Sequence, residues 1–156
     1  MTTPTKTFWE DLEIGRVLET GSLTLNAPDI KSFAEKYDPQ PYHLDRGAAE
    51  ASLFGGLCAS GRHMTALMMK LISDQLDAEK ILLLGTGEVS WLEWYRPAFE
   101  GDSLSARVTV TEKSLPENET DHGLVGCDIE VHNQDEKKVM ALSTFLMIEN
   151  TGGNDG

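Results

Sequence analysis

The sequence predicts an α+β domain, an antiparallel β-sheet wrapped on one long helix, from three observations. The pattern that opens at Ser60 places Met64, Leu67, Met68 and Leu71 at i, i+3, i+4 and i+7. Met69 and Ile72 make a second side apolar, so most of the girth is covered and the helix belongs at the centre. Beyond it the hydrophobic period becomes two, and the strands this predicts follow one another with no helix between them. That order favours an antiparallel sheet over a doubly wound parallel one.

Taken along the chain, Asn26 suits a helix cap, Pro28 and Asp29 suit a first turn, and Ile30, Phe33, Ala34 and Tyr37 recur at helical spacing. This short helix should stop before Pro39, because the residue before proline disfavours the helical region. A second short helical piece is predicted from Asp45 through Ala48, Ala49 and Ala51, ending at Gly55-Gly56. After the long helix, Gly87–Trp94 reads as a strand. Leu104, Ala106, Val108 and Val110 alternate with polar neighbours, as do Val125, Cys127, Ile129 and Val131, and Val139 to Ile148 is more continuously apolar. Trp91 and Trp94 fall on opposite faces of their strand, so core packing is expected for at least one of them. The first few residues and the tail Asn150–Gly156 read as frayed and flexible ends.

With 156 residues, 40% hydrophobic and 25% charged, the chain has the composition of one globular domain over 1–156, its ordered core at about 8–148. A chain of this length buries roughly 68–70% of its unfolded surface, so its core needs no disulfide or structural metal. The 26 acidic and 13 basic residues give a formal net charge of -13. That argues against nucleic acid or an anionic membrane as partner, because phosphate neutralisation needs clustered Lys and Arg. Cys58 and Cys127 form no CxxC pair, which suggests a reducing compartment and a cytoplasmic location. The N-terminus lacks the apolar core of a signal peptide, and no run approaches a membrane span. His63, His122 and His132 show no metal-ligand spacing, and no metal is expected.

The segment Tyr37-Asp38-Pro39-Gln40-Pro41-Tyr42-His43-Leu44-Asp45 carries the most chemistry. Neither a helix nor a strand would bring Asp38 and His43 together at their spacing, so a turn is needed, and the two prolines restrict it and exclude helix there. Such a turn holds an acid and an imidazole in fixed relation; it is equally ordinary turn chemistry, with Asp38 as a cap. Further on, Phe54-Gly55-Gly56-Leu57-Cys58-Ala59-Ser60-Gly61-Arg62-His63 runs into the long helix. Its first N–H groups form a candidate oxyanion site, the other reading being a Gly-rich loop with Ser60 as N-cap.

Together with Arg96-Pro97…Gly101-Asp102…Leu104, these segments resemble the MaoC-like dehydratase family of (R)-specific enoyl-CoA hydratases over about residues 8 to 148. Asp38, Pro41 and His43 stand in register with that family's hydratase motif. Gln40 replaces its usual Asn, Tyr42 its usual aliphatic residue, and Ser60-Gly61 stands where His-Gly is frequent. The resemblance implies a hotdog fold and a homodimer or dimer of dimers. It implies a lyase of fatty acid metabolism that interconverts a 2-enoyl thioester, with coenzyme A as part of the substrate and no other cofactor, and the (R)-3-hydroxyacyl thioester.

In that reading Asp38 is the principal base, His43 its partner in orienting water and passing the proton, and the Gly61 N–H the oxyanion donor. Gln40, Ser60 and Arg62 orient the dyad or bind substrate; Arg46 and Arg96 are further cations near these motifs. Two rivals share the fold-level expectation: a hotdog thioesterase, which uses a carboxylate to hydrolyse the thioester, and a non-catalytic acyl-thioester binding protein.

Overall fold

The computed structural model describes residues 5–118 and 121–152. Its helices are α1 (Ala27–Tyr37), α2 (Pro41–Leu44), α3 (Arg46–Glu50) and α4 (Gly61–Ala78). Its strands are β1 (Val17–Thr24), β2 (Leu83–Trp94), β3 (Ser103–Ser114), β4 (His122–His132) and β5 (Lys138–Glu149). A single-turn 3-10 helix at Trp9–Asp11 precedes β1. All five strands form one antiparallel sheet in the order β1-β3-β4-β5-β2. The predicted α+β class is therefore the one observed.

The helix starts follow from local chemistry. The Asn26 side chain accepts from the Asp29 N–H at 2.8 Å, Asp45 accepts from the Ala48 N–H at 2.8 Å, and Ser60 accepts from the Arg62 N–H at 3.3 Å. Along α4, His63, Met64, Met68, Leu71, Ile72 and Leu76 form one buried stripe. Leu67 and Met69 are only half-buried, and Lys70 pairs with Asp74 on an open face, so less of the helix is covered than its composition suggests. The stripe packs on β1, β3 and β2. There it meets an inward layer that includes Leu104, Val108, Ile129, Val131 and Ile148, all nearly inaccessible.

One strand lies outside the sequence expectations, and one expectation is corrected. The periodicity does not signal β1, because its two inward residues, Leu18 and Leu23, are an odd number apart; a register shift between Glu19 and Ser22 brings both toward the core. Neither Trp91 nor Trp94 is a core residue: they are 44% and 40% exposed, because β2 is an edge strand with only half-buried or exposed positions. Residues 150–152, part of the tail expected to be loose, are hydrogen-bonded to the rest of the chain. The Asn150 N–H donates to the Asp121 carbonyl at 3.1 Å, and the Thr151 hydroxyl donates to Glu10 at 2.5 Å. Residues 1–4 and 153–156 of the expected loose ends lie outside the described residues.

Candidate active site

Asp38 is the C-cap of α1, its N–H bonded to the Ala34 carbonyl at 2.9 Å. The following residues differ from the sequence expectation, in which two prolines exclude helix. Pro41 opens α2, because the first residue of a helix has no intrahelical use for the N–H that proline lacks. The resulting single turn swings His43 back toward Asp38. Gln40 contributes through its backbone: its N–H donates to the Asp38 carbonyl at 2.7 Å, and its carbonyl accepts from the His43 N–H at 2.9 Å. Its side chain is exposed and forms no cap bond.

The Gly-rich loop supplies the other wall. Gly55 has φ 73°, a conformation that favours glycine, and the chain then pairs Cys58 with Phe99 in an isolated bridge. This places the Cys58 carbonyl 2.7 Å from His43 Nδ1. A carbonyl only accepts, so Nδ1 carries a proton, and Nε2 faces the carboxylate, 3.4 Å from Asp38 Oδ2. Tyr42 stands edge-on to the imidazole at 4.5 Å. His43 is buried, Asp38 keeps partial access to solvent, and the Ser60 hydroxyl donates to Asp38 Oδ2 at 2.7 Å.

Asp38 and His43 open onto a cleft of about 450 Å³ whose wall includes Gly61, Arg62, Met64 and Trp94. The Gly61 N–H, in the first turn of α4, has no intrahelical acceptor. Trp94 Nε1 donates to the Gly61 carbonyl at 3.1 Å, and the Arg62 guanidinium lies 5.1 Å from the Trp94 ring. Arg46 is bound by both carboxylate oxygens of Glu100, and Arg96 donates to the Lys138 carbonyl at 3.0 Å, so Arg62 is the cation least committed elsewhere at this mouth. Among the described residues no group of three His, Cys, Asp or Glu side chains is placed to hold a metal ion. No helix of the described residues is long and apolar enough to cross a membrane.

The structure thus brings Asp38, His43, Gly61 and Arg62 to one cleft, with Ser60 buried behind the Asp38 carboxylate. Sequence reasoning named Trp94 only as a core candidate and missed its place on the cleft, which no local pattern marks. It also missed His63, buried in the first turn of α4 and stacked on Phe33 at 4.6 Å and 7°. Burial holds the His63 imidazole below its ordinary range, with Asp29 opposing and His43 reinforcing the shift. Burial pushes the Cys58 thiol up to about 11 and the Cys127 thiol up to about 12.

The acid–imidazole pair of α1 and α2 thus lies beside the N-terminus of α4, the long helix packed on the sheet. The MaoC like domain model matches residues 11–131, and the chain belongs to the MaoC-like dehydratase family. It is 32% identical over 140 residues to the protein YdeM of Bacillus subtilis (strain 168), covering 90% of this chain and 97% of that one. Among solved structures, the MaoC-like dehydratase from Rhodospirillum rubrum superposes with a TM-score of 0.80 at 35% identity, over 92% of this chain and 97% of that one. The R-hydratase PhaJ1 from Pseudomonas aeruginosa gives 0.66 at 27% identity, over 92% and 86% respectively. The fold is the hotdog fold.

Proposed function

We propose that this hydratase/dehydratase acts on a 2-enoyl thioester, adding water across C2=C3 to give the (R)-3-hydroxyacyl thioester, or running the reverse. The observation that carries the reading is the Asp38–His43 pair, 3.4 Å apart, with the imidazole fixed by the Cys58 carbonyl. That gap is long for a strong direct bond, and both groups face the cleft, from which one water can contact each of them.

The chemistry follows from the groups present. Asp38 takes a proton from the water as its oxygen bonds to C3. The π electrons of C2=C3 move toward the carbonyl, and the thioester oxygen gains negative charge. The Gly61 N–H meets that charge; losing one such donor typically costs about 10²–10³ in rate. A proton then passes through the pair to C2, so one water is consumed and the dyad returns to its starting state. His43 orients the water through Nε2, its ring held by Cys58 and Tyr42. Arg62 at the mouth is assigned to the phosphates of a coenzyme A carrier.

A second copy of the chain is assigned to β2, a twelve-residue edge strand that leaves Val89, Trp91 and Trp94 exposed. The experiment for the function is to mix the protein with crotonyl-CoA and follow enoyl absorbance and product mass together. Gain of one water with no free thiol is expected. Release of coenzyme A would point to a thioesterase, and tight binding of a range of enoyl-CoAs without turnover to a binding protein.

A further inference from the structure

Trp94 ends the edge strand β2, yet it reaches the start of α4. Its Nε1–H donates to the Gly61 carbonyl at 3.1 Å. The indole lies so close to Gly61 that a Cβ there would come within 2.7 Å of Cε2. The other end of the Gly61–Arg62 peptide, the Arg62 N–H, points at Ser60 Oγ at 3.3 Å. Ser60 in turn donates its own proton to Asp38 Oδ2 at 2.7 Å, and that oxygen is the one facing His43 Nε2 at 3.4 Å.

Every donor in this series points the same way. The indole N–H polarises a carbonyl, the amide of the same peptide donates to a hydroxyl, and the hydroxyl donates to the carboxylate. Aligned bonds of this kind strengthen one another, and a carboxylate that receives a better donor keeps its orientation. Ser60 is fully buried, so water does not compete for its hydroxyl.

We propose that Trp94 is a positioning residue for the Asp38/His43 pair, anchoring a one-way hydrogen-bond chain through the Gly61 peptide and the Ser60 hydroxyl to the carboxylate. The inference rests on the hydratase reading, in which Asp38 acts as an ionised base. It also accounts for glycine at position 61, because the indole occupies the space a side chain would take.

The test is Trp94→Phe, which keeps an aromatic ring against Gly61 and deletes the N–H. With crotonyl-CoA, kcat should fall about fivefold while KM changes by less than about twofold. The Trp94→Phe/Ser60→Ala double variant should be no slower than Ser60→Ala alone, since both changes break one chain. An unchanged kcat, a rise in KM alone, or losses that multiply in the double variant would overturn the proposal. Full activity in Asp38→Asn would remove the role of Asp38 beneath it, and no hydration by the wild-type protein would remove the hydratase reading; both outcomes are distinct from each of these.

Discussion

The Ser60 hydroxyl donates to Asp38 Oδ2 at 2.7 Å while its oxygen accepts from the Arg62 N–H at 3.3 Å, so one buried side chain both caps α4 and braces the carboxylate. Ser60→Ala therefore has two expected effects. Loss of the cap should cost about 1 kcal/mol of stability in urea unfolding. Loss of a hydrogen bond to a charged group should lower kcat about tenfold or more. A variant with lowered stability but wild-type kcat would limit Ser60 to capping.

Gly61→Ala tests the close approach of the indole. Its Cβ would stand 2.7 Å from Trp94 Cε2, which is too close for any real contact. The partly exposed ring must swing away, at a cost of about 1–3 kcal/mol, and should shift the tryptophan fluorescence. Unchanged emission and stability would contradict this placement of Trp94.

His63 gives a pH prediction with a definite sign. Its folded-state imidazole is held below the ordinary value of 6.5, first by burial, with His43 on α2 adding to the shift and Asp29 on α1 opposing it. As the pH falls through about 6.5, the unfolded chain takes up a proton that the folded one resists. Stability present above that pH is therefore lost progressively until His63 charges in the folded protein. His63→Phe keeps the stack on Phe33 and removes the titration, so urea midpoints measured from about pH 7 to pH 5 should fall less steeply than in wild type. Parallel slopes would contradict it.

Both thiols should be inert in the native protein. Cys58 and Cys127 are buried, with values pushed up to about 11 and about 12, so almost no thiolate exists near neutral pH. A disulfide exchange reagent should label neither Cys in buffer and both in urea. Rapid labelling of native Cys58 would mean that the loop bearing the His43-binding carbonyl opens readily.

Which parts of this were legible in the sequence depended on whether the information was local. Asn26, Asp45 and Ser60 announce their helices because capping needs only a side chain and the next turn. The alternation of β3, β4 and β5 is visible because one face of each meets α4 or the core. β1 was invisible because its register shift breaks the alternation, and the tryptophans of β2 misled because burial depends on strand order, which composition does not encode.

The site divides in the same way. Asp38, His43 and Gly61 stood in motifs. The Cys58 carbonyl is backbone, and Trp94 reaches Gly61 across 33 positions of chain, so neither contact leaves a local trace. Gln40 was assigned a side-chain role in orienting the dyad, and its contribution in the structure is through the backbone of the α2 turn.

The most direct test of the central claim, that the Asp38/His43 pair moves the proton of the added water, is the rate of crotonyl-CoA hydration by Asp38→Asn. The substitution is nearly isosteric, and partial exposure of Asp38 favours a folded variant. A loss of at least about 10² in kcat is expected, with the melting temperature close to wild type. A folded Asp38→Asn protein that hydrates crotonyl-CoA at the wild-type rate would contradict it.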